Sequence, residues 1–414
     1  MTSITAGLAL ATLVMMVAVQ PLDAQSPAKA DSAPDEGGVT KGGSAFAADL
    51  YARLAQEKGN LFFSPYSIST ALAMTYAGAG GKTAEEMAAA MHFDKDATRV
   101  CDGYASLIGK INGDGRQRGF QLHTANALWG QQGYGFLPDF LTRVKASFGA
   151  GLTELDFAKD AEACRKTINA WVEKETQEKI KDLIAQGALT PQTRLVLTNA
   201  IYFKAAWVEQ FQKAATKDGE FMAAADQKVT IPMMRQVKRF GYAETDELQM
   251  LEMRYAQSPM SMVVLLPRKV DGLSAIEKSL TAERLSDWLN VLNGKGARVD
   301  VTIPRFKMTA TFELSKTLAG MGMPLAFDPG KADFKAMNGG KEPLWIGLVV
   351  HKAFVDVNEE GTEAAAATAV MMVGAAAMRP EEPKVFRADH PFLFLIRDTD
   401  SGAILFMGRV SNPK

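Results

Sequence analysis

Apolar residues in the first third of the chain recur at three- and four-residue intervals, the spacing that gathers them on one side of a helix. Ser44 stands ahead of Phe46, Leu50 and Leu54 as a helix cap, and Gly59 closes that segment. A second helix is expected after Ser67. A third is expected from Thr83, where Thr83 to Glu86 spells a capping box before Met87, Ala90 and Met91. Ile168, Trp171, Val172, Glu175, Lys179, Ile180 and Leu183 predict a long helix with one apolar side. After Pro191 strands take over. Leu195 to Phe203 and Met262 to Leu266 are nearly continuous apolar runs, as expected of strands covered on both faces. Val299, Val301 and Ile303 alternate with polar neighbours, and Phe392 to Ile396 and Ile404 to Val410 flank Asp398 to Gly402 as a hairpin. Helices and strands mix without βαβ alternation or an internal repeat, which predicts an α+β class with large, mainly antiparallel sheets.

Residues 359 to 377 fit neither pattern. They are rich in alanine, which read alone suits a helix or a low-complexity loop. The stretch follows a strand pattern at Ala353, Val355 and Val357 and precedes the proline-rich Arg379 to Pro383, so it is a long loop between strands. Every second residue from Thr362 is small or apolar (Thr362, Ala364, Ala366, Thr368, Val370, Met372, Gly374), while Glu363 falls on the other parity. No proline interrupts it. Such a segment is able to enter a sheet with one face buried and no lost ladder bond.

The 414 residues are 47% hydrophobic, enough for a large core, and 46 Lys and Arg against 47 Asp and Glu leave a net charge of -1. No field draws this protein to nucleic acid. The run Ala6 to Val19, followed by Pro21 and a small-residue exit at Ala24, predicts a signal peptide over residues 1–24 and no membrane attachment after its removal. Residues 25–43 read as a flexible linker, so the folded domain is expected over 44–414 and its location is expected to be secreted, extracellular or periplasmic. Cys101 and Cys164 form no paired motif, and spacing leaves their pairing open.

Enzymatic motifs fail one by one. Gly80, Gly81, Lys82 and Thr83 look like the end of a phosphate-binding loop, but Tyr76 stands where that motif needs its first glycine. His92, His123, His351 and His390 are not spaced as metal ligands, and no Gly-x-Ser-x-Gly elbow is present. No catalytic residue, metal or cofactor is expected.

Four separate motifs resemble those of the serpin family, and the resemblance covers Ser44 to Lys414. Asn60, Phe62, Ser64, Pro65, Ser67, Ile68 and Ala71 resemble the family's early motif. Thr198, Asn199, Ala200, Ile201, Phe203, Lys204 and Trp207 resemble its central one. His351, Lys352, Glu360, Gly361, Thr362 and Glu363 resemble the strand and hinge before the reactive loop, and Phe386 to Ile396 resembles the family signature. The chain is thereby identified as an inhibitory, bacterial-type member.

The resemblance implies a serpin fold of three β-sheets and about nine helices with an exposed reactive-centre loop. It implies an irreversible suicide-substrate inhibitor, a monomer that forms a covalent acyl complex with a target serine protease and then inserts its loop into the main sheet. A non-inhibitory serpin acting as a binding or chaperone-like protein is the alternative. The bait loop runs from about Gly361 to Met378, with a hinge of Gly361, Thr362, Glu363, Ala364, Ala365, Ala366 and Ala367. Ser64, Ser67, Asn199 and His351 resemble the polar cluster beneath the point where the sheet parts, and Trp207 is expected where insertion begins. Counting from the hinge glycine sets the reactive bond between Ala375 and Ala376, which suits elastase-like or subtilisin-like proteases; counting back from Pro391 points between Ala377 and Pro380. Met372 and Met378 remain outside candidates.

Overall fold

The computed structural model describes residues 36–113, 119–224, 226–292, 294, 296–362 and 382–414. The first third comprises α1 (Glu36–Leu54), the short strand β1 (Leu61–Phe63), α2 (Pro65–Tyr76), α3 (Gly81–Met91) and α4 (Ala97–Asn112). Then come β2 (Phe120–Gln131), α5 (Pro138–Phe148), β3 (Leu152–Leu155), α6 (Phe157–Glu175) and β4 (Leu195–Ala206). A strand-rich stretch follows, with β5 (Lys217–Ala224), β6 (Gln227–Glu244), β7 (Leu248–Arg254), β8 (Met260–Pro267), helices α7 (Leu273–Lys278) and α8 (Ala282–Leu292), β9 (Gly296–Pro304) and β10 (Phe306–Glu313). Helices α9 (Ser315–Gly320) and α10 (Lys335–Asn338) lead to β11 (Ile346–Val357), β12 (Gly361–Thr362), β13 (Lys384–Arg387), β14 (Phe392–Asp398) and β15 (Ile404–Val410).

Six strands form the large sheet in the order β10-β11-β12-β4-β2-β3. Of the remaining nine, eight follow one hydrogen-bonded path that turns at β6, a strand of 18 residues, and β5 pairs with β6 beside that path. Within β6, Gln227 to Met233 pair with β5 and Met233 to Gly241 with β9, and β13 adds to β9. Its last residues pair with β7, which leads through β8, β14 and β15 to β1. The two limbs and the large sheet are the three sheets expected, and the described residues hold ten α-helices against about nine expected.

The large sheet divides the core. On one face Leu197, Ile201 and Phe203 of β4 join the main apolar cluster under α1 to α5 and the limb strands. On the other, Val196, Ala200 and Tyr202 join a smaller cluster with Ile168 and Val172 of α6. Burial on both faces explains why β4 reads as a continuous apolar run.

Three local expectations are corrected. Helix α1 begins at Glu36, not Ser44, so residues 36–43 of the expected linker are helical and the Ser44 hydroxyl donates to the Thr40 carbonyl within the helix. Tertiary contacts override the glycine-rich composition: Glu36 pairs with Lys110, and a Cβ at Gly42 would lie 2.3 Å from the His92 carbonyl oxygen, so only glycine lets the helix pass that close. Thr83 and Glu86 form no capping box. Helix α3 starts at Gly81, the Thr83 hydroxyl accepts from the Asp333 amide at 3.0 Å, and the Glu86 carboxylate accepts from the Leu325 amide at 3.0 Å. Helix α6 stops at Glu175, although the apolar spacing runs on to Leu183. Ile180, Leu183 and Ile184 are still buried against the sheet, from an irregular segment in which Gln177, Glu178 and Asp182 take left-handed backbone angles.

Candidate functional site

Strands β4 and β11 run parallel and pair directly, with His351 facing Asn199 and Phe354 facing Tyr202. Beyond that point they part, and β12 lies between them, antiparallel to both: Thr362 pairs with Val357 on one side and Ala205 on the other, and Gly361 with Ala206. The arrangement is a seam, closed along most of its length and held apart at one end by two residues. Gly361 must be glycine, because a Cβ there would meet the Ala205 carbonyl oxygen at 2.0 Å.

The turn before β12 is tied down from several sides. The Trp207 amide donates to the Glu360 carbonyl at 2.9 Å and its indole nitrogen to the Asn358 carbonyl at 3.0 Å. The Trp207 ring stacks on Tyr255 at 4.5 Å, and the Tyr255 hydroxyl bonds the Thr362 hydroxyl at 2.7 Å. Both Glu359 carboxylate oxygens accept from one Arg305 nitrogen, Nη2, at 2.7 and 2.6 Å, and Thr216 donates to one of them at 2.7 Å. Burial works to raise the Glu359 pKa, but the bonds from Arg305 and Thr216 outweigh it and hold the carboxyl below its ordinary range. Burial drives Tyr255 well above the usual phenol range, so it remains a neutral hydroxyl.

Six residues along β11 and β4 from Thr362's neighbours lies a buried polar cluster. Ser64, the cap of α2, accepts from the Ser67 amide at 3.0 Å and donates to the Leu405 carbonyl at 2.6 Å. The Ser67 hydroxyl donates to Asn126 Oδ1 at 2.8 Å, and Asn199 Nδ2 donates to both Ser67 and Asn126. His351 Nε2 accepts from the Ser64 amide at 3.0 Å, which leaves Nδ1 as the protonated nitrogen, facing Asn199 Oδ1. Burial pushes the His351 pKa down to about 3, in agreement with this neutral tautomer. With both ring nitrogens committed, His351 has no free site to act as a base.

Ser64, Ser67, Asn199 and His351 are thus brought together, and Trp207 lies at the mouth of the seam beside Gly361 and Thr362. Glu363, Ala364, Ala365, Ala366 and Ala367 of the hinge and the reactive bond Ala375–Ala376 lie outside the described residues. Sequence reasoning missed Asn126, Tyr255, Arg305 and Thr216. Asn126 carries a usable signal, a lone polar residue inside the apolar run Ala125 to Trp129. The others come from distant parts of the chain and are joined only by the fold.

Residues 41–413 match the family model described as Serpin (serine protease inhibitor). Leukocyte elastase inhibitor of Homo sapiens is 42% identical over 376 residues, covering 89% of this chain and 97% of that protein. Serpin B8 of Homo sapiens is 43% identical over 372 residues, with the same coverage. Among solved structures, Serpin48 of the insect Tenebrio molitor superposes with a TM-score of 0.81 at 31% identity, over 92% of this chain and 99% of its own. Human thyroxine-binding globulin complexed with thyroxine gives 0.81 at 30%, over 91% and 98%.

These matches overturn the expected secreted, extracellular or periplasmic location. It rested on the N-terminal apolar run, and the matched leukocyte elastase inhibitors, aligned over 97% of their length, have no counterpart to a segment of that size. The fold, the seam in its large sheet and the match over residues 41–413 lead to one conclusion: the chain belongs to the serpins, a family of serine protease inhibitors.

Proposed function

We propose that this serpin is an irreversible suicide-substrate inhibitor of serine proteases with elastase-like or subtilisin-like specificity. The protease's serine hydroxyl adds to the Ala375 carbonyl, the Ala376 amine departs with a proton, and the N-terminal part of the loop stays on the enzyme as an ester. The loop then enters the large sheet before water hydrolyses that ester. Ala375 suits a shallow specificity pocket, in keeping with relatives named Leukocyte elastase inhibitor. The complex is covalent, with one monomer to one protease.

The register of β12 carries this proposal. Val357 and Ala205, which flank Thr362, lie six positions beyond His351 and Asn199, which pair directly. The two strands therefore keep one alignment on both sides of the parting, and a longer β12 needs them to separate sideways but not to slide. Extended in the same register, Ala364 falls between Phe203 and Val355, Ala366 between Ile201 and Ala353, and Thr368 between Asn199 and His351. Small residues on that parity pass beside the packed core with little steric cost. Roughly fourteen inserted residues at about 3.3 Å each carry the acylated end about 45 Å.

Ser64, Ser67, Asn199 and His351 then form the catch that the incoming strand must open. Each net hydrogen bond is worth about 1 kcal/mol, but a buried partner left unmatched costs about 1–3 kcal/mol. Parting the strands is expensive unless the entering chain supplies replacements, and the Thr368 hydroxyl arrives where Asn199 and His351 separate. Gly361 to Ala367 serve as the hinge, and Trp207 holds its starting end. The alternative, a non-inhibitory serpin acting as a binding or chaperone-like protein, gains from the equal likeness to thyroxine-binding globulin, so the small-residue hinge is what decides.

Incubation with pancreatic elastase tests this directly. An inhibitor gives a band that survives SDS at the combined mass, with cleavage mapped by mass spectrometry between Ala375 and Ala376. Cleaved loop alone, with no stable complex, means the chain is a substrate.

A further inference from the structure

One imidazole joins the turn after β13 to the end of β8. His390 is only 7% exposed. Its Nδ1 lies 2.9 Å from Asp389 Oδ1 and its Nε2 lies 2.7 Å from the Pro267 carbonyl oxygen at the end of β8. A backbone carbonyl and an ionised carboxylate only accept, so both contacts are hydrogen bonds only when both ring nitrogens carry protons. We propose that His390 is a proton-operated latch: the imidazolium fastens the turn after β13 to the end of β8, and the neutral ring releases one of its two holds.

The surrounding charges leave His390 as the group that switches. Burial works to raise the Asp389 pKa, but bonds from His390 and from Arg387 (2.8 Å to Oδ2) outweigh it and keep the carboxyl below its ordinary range. Arg268, next to Pro267, bonds Glu244 at 2.8 Å, and Lys384 of β13 bonds the same carboxylate at 3.1 Å. Hydrogen bonds from Tyr242, Lys384 and Arg268 lower Glu244 to about 2. Strand β5 contributes the Met222 amide, which donates to the Asp389 carbonyl at 2.8 Å. Both carboxylates therefore stay ionised through the range in which histidine ordinarily changes charge, about pH 5 to 8.

What the latch holds is a short strand. β13 has four residues in parallel register with β9, Lys384 beside Val299 and Arg387 beside Thr302, and it continues to the Ala388 amide bonded to the Thr302 carbonyl. Its firmness sets how tightly the C-terminal end of the loop is anchored. The consequence for inhibition rests on the insertion mechanism proposed above; the latch itself does not.

Hydrogen exchange across Val385 to Ala388, corrected for the intrinsic pH dependence of amide exchange, tests it alongside an NMR titration of the His390 ring. In the unmodified protein, exchange should speed up about tenfold or more as the ring loses its proton, while Ile404–Val410 stays unchanged. His390→Gln, which cannot charge, should exchange fast at both ends of the range. Protection that is indifferent to the ring's titration overturns the latch, as does a Gln variant that keeps the pH-dependent step. If that variant does not fold, the unmodified protein alone decides, and the outcome is independent of whether the chain inhibits a protease.

Discussion

At the scale of single residues, His351 is the most constrained group at the seam. Its ring accepts from the Ser64 amide and donates to Asn199, and burial lowers its pKa to about 3. The unfolded chain has an ordinary histidine near 6.5. Between these values the unfolded state takes up a proton that the folded state refuses, so stability present above about pH 6.5 is lost as pH falls towards about 3. The slope contributed is at most about 1.4 kcal/mol per pH unit. Burial also lowers half-exposed His123, which adds a smaller part in the same direction. Chemical denaturation as a function of pH should show the unmodified protein weakening from about pH 6.5 downward, and His351→Gln, less stable throughout, weakening with a shallower slope. Parallel slopes would mean that His351 is not the acid-sensitive point of the seam. The sequence marked Ser64, Ser67, Asn199 and His351 through their resemblance to the serpin family's motifs, not through any local pattern of apolar and polar positions. Tyr255 and Arg305 lacked any such mark, since a tyrosine in a strand and an arginine after a proline are ordinary.

At the scale of elements, β12 decides how the hinge behaves. Thr362 is 1% exposed, with its hydroxyl on Tyr255 and its backbone between β11 and β4. Thr362→Arg forces a cation onto the face of the main core, at a cost on the order of 3–5 kcal/mol if it stays unpaired. The variant should still be cleaved by elastase, but insertion should lag behind ester hydrolysis and the yield of SDS-stable complex should fall at least tenfold. Glu363 has the opposite parity; it lies outside the described residues, and a β12 continued in the same register would set it between half-buried Lys204 and Asp356. Glu363→Arg should lose far less. Equal losses in the two variants would remove the parity argument. Alternation predicts the buried face of Thr362, which is the one hinge side chain described. The sequence was misleading where tertiary contacts replace a local motif: Thr83 and Glu86 bond residues some 240 positions away instead of capping α3, and the apolar period after Glu175 continues without its helix.

At the scale of the whole molecule, the α+β class and the doubly covered strands were legible because β4 and β8 bury both faces, which needs an unbroken apolar run. The order of strands was not, because β12 turns back from β11 to pair with β4, which lies far earlier in the chain, and no spacing encodes which two strands stand apart to receive it. In the proposed mechanism that open end, where Gly361 and Thr362 already lie between β11 and β4, is the place the loop enters. Filling it replaces the direct ladder between β4 and β11 with one on each side of the entering strand, a net gain of about one ladder bond per residue over roughly fourteen residues, each worth about 1 kcal/mol net. The most direct measurement compares thermal unfolding of the intact protein with that of protein cut once in the loop and left unreduced in length. The cut form should melt about ten degrees or more above the intact one; cut and intact forms that melt together would contradict loop insertion.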